Sequence, residues 1–298
     1  MKLYIMGDLH GQYRAFYQRL DQLGNLCTIT DEGTEDMLIL LGDYIDGPGG
    51  QSGILLEKIY ALQTCFPDRV IVLRGNHEQM LLEWLETYLG PESESTDEYG
   101  LPNWSDWLNT DPDMETFRSL ISREQWDFFQ KIAPTLSEES MNREAARMVS
   151  SHHEWLLGWL KSLPFYYQTE KQIFVHAGID EEAEDWWEWG TPESMFIGKF
   201  PPTTGKFYKD IIAGHVGTGR LKNDRNFHDI LWDGASHFFC DGSVQFSGQV
   251  PVLVYDCDTD KYYSLGPDVP SSQRKRNVVR GELLTVSQGV EFDESLRF

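Results

Sequence analysis

Five short apolar runs along the chain each end at a cluster of glycine and polar residues. They cover residues 2–6, 37–41, 70–73, 172–175 and 210–213. Runs of this length, rich in Val, Ile and Leu and followed by glycine, are typical of buried β-strands. Between the first three runs, residues 13–23 and 54–65 carry apolar side chains at helical spacing. This alternation predicts strands covered by helices, with functional loops at the carboxyl ends of the strands.

From about residue 80 to residue 164 helical spacing dominates. Helices are predicted over residues 80–89, 114–121, 123–132 and 143–161, separated by acidic and Ser-rich connections. The many aromatic residues of this stretch are expected to be packing residues. We therefore predict a helical insert here. Further along, residues 180–189 are acidic and Trp-rich, which predicts a loop over the site, and residues 220–247 are predicted to hold two strands.

The domain organisation follows from the length and from the polar carboxyl end. A chain of 298 residues suits one large domain, or a domain with an insert. After residue 266 the sequence is polar, and hydrophobic density returns only at 278–286. We predict one domain over 1–266, with its insert at about 80–164. Residues 267–298 are predicted to be an extension in the form of a peripheral hairpin or partly mobile tail.

Composition and charge limit which partners the protein is expected to bind and where in the cell it is expected to act. A hydrophobic content of 40% supports a sizeable core, and the formal net charge of −23 argues against long nucleic acids as partners. No apolar run approaches the ~20 residues needed to cross a bilayer, so no membrane partner is expected. The four cysteines are scattered without a CxxC pair, which favours reduced thiols and a cytoplasmic location. The sequence leaves the oligomeric state open.

Each apolar run is followed by residue types that bind metal ions. The clusters are Gly7-Asp8-Leu9-His10-Gly11, Gly42-Asp43-Tyr44-Ile45-Asp46, Gly75-Asn76-His77-Glu78, His176-Ala177-Gly178 and Gly214-His215. Carboxylate, amide and imidazole ligands suit hard-to-borderline divalent ions. Two such ions that share a carboxylate are typical of enzymes that cleave phosphoesters. The pattern therefore predicts a two-metal phosphoesterase.

The order and residue types of these clusters resemble the motifs of the calcineurin-like metallophosphoesterases. Within that group they resemble the phosphoprotein phosphatases, meaning the Ser/Thr phosphatases and their bacterial and phage relatives. The resemblance runs from residue 1 to about 265, and five motifs in order are far more specific than any one of them. It implies an α/β fold, an α+β sandwich of two mixed β-sheets packed face to face and flanked by helices.

The resemblance also implies a ligand set. The first metal would be held by Asp8, His10 and Asp43, and the second by Asp43, Asn76, His176 and His215. Asp43 would then bridge the two ions. Mn²⁺ is the expected metal, with Fe or Zn²⁺ as alternatives that the same mixed ligands accommodate.

His77 and Asp46 are the implied catalytic pair. His77 would donate a proton to the leaving oxygen, while Asp46 orients the imidazole and raises its pKa. The implied reaction is direct attack of a metal-bound hydroxide on phosphorus, without a phosphoenzyme. Glu78 completes the third signature and is expected to brace the loop.

The chain departs from the family pattern where phosphate would be gripped by arginine. Gly47 and Gly198 occupy the two positions at which phosphoprotein phosphatases or their bacterial relatives carry arginine. A charge-assisted hydrogen bond of this kind is worth about 1.5–3 kcal/mol. Lys199 and Arg74 are possible substitutes for phosphate binding, and Lys199 is favoured by its position.

Three functions remain open at this level. The first is a phosphomonoesterase of the Ser/Thr-protein-phosphatase type, acting on a phosphorylated protein or a small-molecule phosphoester. The second is a phosphodiesterase or dinucleoside-polyphosphate hydrolase, because a diester presents fewer charged oxygens and has less need of arginine. The third is a non-catalytic metal-binding regulatory protein. The presence of His77 and Asp46 argues against the third, since a scaffold needs no proton donor.

Overall fold

The strands of the protein follow the apolar runs. The structure, a computed structural model, describes residues 1–24, 35–90, 107–265 and 277–278. Within these ranges the strands are β1 (Lys2–Met6), β2 (Met37–Leu40), β3 (Val70–Val72), β4 (Tyr166–Gln168), β5 (Gln172–Val175), β6 (Asp210–Ala213), β7 (Leu231–Trp232), β8 (His237–Phe239), β9 (Val252–Asp256), β10 (Lys261–Leu265) and β11 (Asn277–Val278).

The α-helices of the described ranges are concentrated between β3 and β4. They are α1 (Tyr13–Gly24), α2 (Ser52–Cys65), α3 (Asn76–Leu89), α4 (Trp107–Thr110), α5 (Glu115–Ser119), α6 (Arg123–Ile132), α7 (Glu138–His152), α8 (Leu156–Ser162), α9 (Trp187–Gly190), α10 (Glu193–Gly198), α11 (Thr218–Lys222) and α12 (Val244–Ser247). Short 3₁₀ turns lie at Pro112–Met114, Ala133–Thr135 and Glu181–Trp186.

The strands form two mixed sheets. The first has the order β11-β10-β9-β1-β2-β3, and the second has the order β4-β5-β6-β8-β7. In the first sheet β1, β2 and β3 are parallel, whereas β9, β10 and β11 join by antiparallel pairing. In the second sheet β5, β6 and β8 are parallel, and β4 and β7 are antiparallel edges. Parallel strands place their carboxyl ends at one edge of each sheet.

Alternation along β1 shows how the layers pack. Leu3 and Ile5 are buried between the two sheets, where they join a cluster that includes Phe174 of the second sheet. Tyr4 and Met6 point the other way, into the core formed with the helices. Because side chains alternate across a strand, this pattern requires cover on both faces of the first sheet. The predicted fold, two mixed sheets face to face and flanked by helices, is confirmed.

Several element boundaries differ from the predictions. Helix α3 begins at Asn76, so the third signature forms its first turn. The helix predicted over 143–161 is broken, because α7 ends at His152 and α8 begins at Leu156. Segment 180–189, predicted to be a loop, consists of a 3₁₀ turn and the short helix α9. The two strands predicted within 220–247 are confirmed as β7 and β8.

Some predictions fall outside the described residues. Cys27 and most of the predicted extension 267–298 lie there, although β11 pairs with β10 in the first sheet. The proposed domain boundaries stay a prediction. Among the described helices, none combines the length with the apolar character that a bilayer crossing requires.

Candidate metal centre

The predicted ligands follow five parallel strands at their carboxyl ends. Asp8 and His10 follow β1, Asp43 follows β2, Asn76 follows β3, and the two remaining histidines, His176 and His215, follow β5 and β6. Backbone hydrogen bonds tie these loops together. Asp8 N–H donates to the Gly42 carbonyl at 3.0 Å, and His10 N–H donates to the Asp43 carbonyl at 3.0 Å. The strand ends therefore bring all six predicted ligands to one region.

The carboxylate of Asp43 lies at the centre of the ligand atoms. Its Oδ2 is 4.0 Å from His10 Nε2 and 3.3 Å from His176 Nε2. Asn76 Oδ1 lies 2.9 Å from His176 Nε2 and 3.0 Å from His215 Nδ1. In the described part of the chain, two three-residue groups have ligand atoms within 4.8 Å of one another, and both contain Asp43; they are His10, Asp43 and His77, and Asp43, His176 and His215.

The other ring nitrogen of two histidines is held by a backbone carbonyl. His176 Nδ1 lies 3.0 Å from the Leu41 carbonyl, and His10 Nδ1 lies 3.1 Å from the Ile45 carbonyl. A carbonyl can only accept, so Nδ1 carries the proton in both rings. In the neutral ring Nε2, which faces Asp43, is then the nitrogen that carries the lone pair, and this is the tautomer that a metal ligand needs.

One buried oxygen shows that the residues fit a cation. Asp8 Oδ1 accepts the His215 N–H at 2.8 Å, whereas Asp8 Oδ2 is buried without a hydrogen-bond partner among the described residues. Burial and the charges of Asp241 and Asp43 raise the pKa of Asp8. A buried oxygen without a partner is costly, and a divalent ion would satisfy it. The Asp8 carboxylate oxygen, together with the imidazole and amide groups nearby, forms a donor set that suits Mn²⁺, Fe or Zn²⁺.

Two glycines of the signatures allow the ligands to approach closely. A Cβ at Gly75 would lie 2.2 Å from Asp43 Oδ1, and a Cβ at Gly214 would lie 2.1 Å from Asp8 Oδ2. Any larger residue would displace a predicted ligand. The glycines that precede Asn76 and His215 are therefore part of the site's shape.

The backbone of the site is strained. Asp8, His10, Asp43, Asp46 and His215 adopt left-handed conformations with φ of 54°, 42°, 57°, 62° and 65°. Such angles are unfavourable for residues with a Cβ and persist where surrounding contacts impose them, often at functional sites. The hydrogen bonds between the strand-end loops supply those contacts, so the ligand positions are fixed by the fold.

His77 and Asp46 form a hydrogen-bonded pair beside Asp43. His77 Nδ1 donates to Asp46 Oδ2 at 2.9 Å, and His77 Nε2 lies 3.9 Å from Asp43 Oδ2. Burial disfavours the protonated ring, but the charge of Asp43 and the Asp46 hydrogen bond outweigh it and raise the pKa of His77 to about 10. The Asp46 hydrogen bond thus orients the ring with Nε2 toward Asp43.

Trp107 is a site residue that the sequence analysis missed. Its indole Nε1–H donates at 2.9 Å to Asp46 Oδ2, the same oxygen that accepts from His77. Trp107 is fully buried and its ring lies 5.0 Å from that of Trp84. Both tryptophans belong to the predicted insert, where spacing marks them only as packing residues. No local signal distinguishes the one that reaches the site.

Glu78 braces the loops, as expected. Its fully buried carboxylate accepts three backbone N–H groups, from Asp43 at 2.8 Å, Tyr44 at 2.7 Å and Gly75 at 3.0 Å. These bonds connect the first turn of α3 to the loop after β2. Glu78 therefore fixes Asp43 relative to Asn76, and its full burial keeps it away from solvent.

The two residues suggested for phosphate binding are occupied by protein partners. Arg74 donates from Nη1 to Gln79 Oε1 at 2.9 Å and from Nη2 to the Lys161 carbonyl at 2.9 Å. Lys199 Nζ donates to the Ile179 carbonyl at 2.5 Å and lies 3.3 Å from Glu181 Oε1. These contacts do not favour a role in binding phosphate, and that role stays a prediction.

Comparison with known proteins decides the family. The sequence model described as calcineurin-like phosphoesterase matches residues 1–245. The chain belongs to this family. As a calcineurin-like phosphoesterase it also matches a Caenorhabditis elegans protein named among the serine/threonine-protein phosphatases, at 36% identity over 75 residues. That match covers 25% of this chain and 18% of the relative, so it spans less than a fifth of the relative's length.

Similar solved structures are distant in sequence. A mutant cold-active protein tyrosine phosphatase has 16% identity and a TM-score of 0.49, covering 88% of this chain and 77% of that chain. A Saccharomyces cerevisiae protein serine/threonine phosphatase with similarity to human phosphatase PP5 has 13% identity and a TM-score of 0.42, covering 91% and 82%. A hypothetical protein from Pyrococcus horikoshii has 12% identity and a TM-score of 0.44, covering 91% and 89%.

Proposed function

We propose that this calcineurin-like phosphoesterase is a phosphomonoesterase of the Ser/Thr-protein-phosphatase type that depends on two divalent ions. The observation that carries the proposal is the position of Asp43 Oδ2, which is shared by two groups of ligand atoms and lies 3.9 Å from His77 Nε2. A shared carboxylate beside a proton donor is the arrangement that phosphoester hydrolysis requires. The substrate would be a phosphorylated protein or a small-molecule phosphoester.

The proposed ligands divide around Asp43. Asp8 and His10 would join it at the first ion, and the second ion would take the three others, Asn76, His176 and His215. When bound, a pair of divalent ions supplies an activated water and balances the charge of the phosphate. The chain's own part is to keep the ligand atoms in place. The left-handed loops and the hydrogen bonds of the Glu78 carboxylate would do this.

His77 would protonate the leaving oxygen of the substrate. The proton on Nδ1 is committed to Asp46 at 2.9 Å, so the proton on Nε2 of the imidazolium is the one available for transfer. The His77 side chain is 25% exposed, so a substrate can reach it. An alkoxide leaves poorly unless it is protonated, so this residue matters most for substrates with poor leaving groups.

Phosphodiester cleavage is a second candidate, favoured because glycines stand at positions 47 and 198, where relatives carry arginine. An arginine cannot replace Gly47 in this backbone conformation, because its Cβ would lie 2.2 Å from the His10 carbonyl oxygen. Arg74 and Lys199 are already bound to protein groups. A diester carries less charge than a monoester, so it needs fewer cationic contacts besides the metal ions.

The test compares p-nitrophenyl phosphate with bis-p-nitrophenyl phosphate after loading with Mn²⁺, and uses His77→Asn as the control. Preference for the monoester, with a loss on a phenyl phosphate in the variant, would support the proposal. Preference for the diester would replace it with the phosphodiesterase function. Binding of two metal ions without hydrolysis of either ester would refute both and favour the regulatory protein.

A further inference from the structure

Two tryptophans project from the segment that follows His176. Trp186 is 71% exposed and Trp189 is 86% exposed, whereas Trp187 between them is 1% exposed. An exposed indole ring offers a large apolar face with a polar edge, which is why tryptophan is enriched where proteins bind partners. Trp186 and Trp189, which we call the tryptophan patch, are thus exposed to solvent, while Trp187 of the same segment is buried.

The segment beneath the patch is anchored on both sides. Trp187 packs with its ring 5.0 Å from that of Tyr166 and donates from Nε1 to the Tyr208 hydroxyl at 2.9 Å. The Glu188 carboxylate accepts from the Tyr166 hydroxyl at 3.1 Å and from Gln168 Nε2 at 2.8 Å. These contacts hold α9 against the second sheet. The exposed rings are thus presented by a fixed support, which lowers the entropic cost of binding a partner.

The anchoring contacts connect the segment to strand β4, which pairs with the strand that precedes His176. Tyr166 pairs in register with Val175, the residue immediately before His176, and Gln168 pairs with Ile173. Trp187 and Glu188 contact Tyr166, and Glu188 also contacts Gln168, so α9 lies beside the β4–β5 pair that leads to His176. A polypeptide bound at the metal centre would have to run along this pair to reach the patch.

Charge determines which partner fits. Glu182, Glu184 and Asp185, which precede the patch, are exposed, and the whole chain carries a formal net charge of −23. A second copy of this chain or an anionic lipid surface would meet repulsion here. Lysine and arginine side chains are instead attracted by the carboxylates, and they also form cation–π contacts with the faces of indole rings.

We propose that the tryptophan patch docks a basic segment of a phosphoprotein substrate. The inference rests on the proposed phosphatase function for the catalytic step, but docking itself does not require turnover. Arginine and lysine side chains of the segment would stack on Trp186 and Trp189, with the neighbouring carboxylates matching their charge. The metal centre would meanwhile act on the phosphorylated residue beside that segment.

The first test measures binding of a fluorescently labelled, unphosphorylated peptide rich in arginine by anisotropy. The double variant Trp186→Ala/Trp189→Ala should raise the Kd by about tenfold or more, since both stacking contacts are lost. Phe246→Ala is the matched control, because Phe246 is 78% exposed and belongs to α12. Its Kd should equal that of the unmodified protein.

The tryptophan variant keeps the net charge, so it separates docking from general attraction to an acidic protein. An unchanged Kd in the double variant, or an equal loss in Phe246→Ala, would overturn the proposal. The same would follow if the peptide did not bind the unmodified protein at all. Far-UV circular dichroism of each variant confirms that the fold is retained.

The second test separates docking from catalysis. With Mn²⁺ present, the double variant should raise KM about tenfold for a phosphopeptide with flanking arginines, and leave kcat/KM for p-nitrophenyl phosphate unchanged. Equal loss on both substrates would overturn docking. If the unmodified protein hydrolyses neither substrate yet binds the basic peptide through the tryptophans, the proposed function fails while the docking surface stands.

Discussion

Replacing Trp107 with phenylalanine should weaken proton donation without removing any proposed metal ligand. The change deletes the indole N–H that donates at 2.9 Å to Asp46 Oδ2. Asp46 Oδ1 already lacks a hydrogen-bond partner among the described residues, so the carboxylate would be left with His77 as its side-chain donor. The imidazole would then be oriented by a carboxylate that is free to rotate.

The magnitude follows from the type of bond and from its burial. A hydrogen bond to a charged group contributes about 1.5–3 kcal/mol, and Trp107 is fully buried. If about half of that energy serves to orient His77, kcat for phenyl phosphate should fall about 4- to 13-fold. For p-nitrophenyl phosphate, whose leaving group needs little protonation, kcat should stay nearly constant. The assay is therefore the ratio of kcat values for these two esters under Mn²⁺ saturation.

Trp84→Phe is the matched control. Trp84 is also fully buried, packs 5.0 Å from Trp107, and donates from Nε1 to Asn142 Oδ1 at 2.8 Å rather than to the site. Both variants lose one buried indole hydrogen bond and similar volume, so thermal denaturation should show similar destabilisation. A kcat ratio that is unchanged in Trp107→Phe, or altered equally in both variants, would refute the positioning role.

Three further predictions test the metal centre, the missing clamp and a buried histidine. Asp43→Asn should lower the metal content measured by mass spectrometry below two ions per chain and abolish turnover; two bound ions with full activity would contradict the bridging role. Gly198→Arg should raise kcat/KM for p-nitrophenyl phosphate about tenfold, because a Cβ at residue 198 meets no described atom within 4 Å. Gly47→Arg should instead destabilise the protein, because its Cβ would lie 2.2 Å from the His10 carbonyl oxygen. Equal melting temperatures of Gly47→Arg and the unmodified protein would refute this clash. Burial opposes protonation of His237, but the hydrogen bond to Asp233 and the charge of Glu181, whose Oε2 lies 3.2 Å from Nε2, raise its pKa to about 9. The stabilisation is therefore complete below pH 6.5 and is lost as the pH rises through 9. Between pH 6 and 9.5 the unmodified protein should therefore lose about 3 kcal/mol more unfolding free energy than His237→Gln, and parallel losses in denaturant titrations would contradict this.

The residue sequence was sufficient to predict five of the strands. Apolar runs specify strands because they must be buried on both faces, and the glycine-linked signatures follow those runs directly. The family resemblance, carried by five signatures in a fixed order, implied the two sheets and the proposed place of Asp43 between two ions. The sequence predicted the first and last residues of the helices less accurately. Asn76 starts α3 because Glu78 caps the helix from its own first turn, a contact that hydrophobic spacing does not reveal.

Tertiary structure alone decided which residues contact Asp46 and His77, and which basic side chains are hydrogen-bonded to protein groups. Trp107 and Trp84 look alike in sequence, yet only Trp107 reaches Asp46, because α4 and α3 pack against each other on the helical side of the first sheet. Arg74 and Lys199 are suitable phosphate ligands by residue type, but Arg74 donates to the carbonyl of Lys161, 87 residues away, and Lys199 donates to that of Ile179, 20 residues away. Contacts between residues far apart in sequence depend on how layers pack, and local patterns carry no information about them.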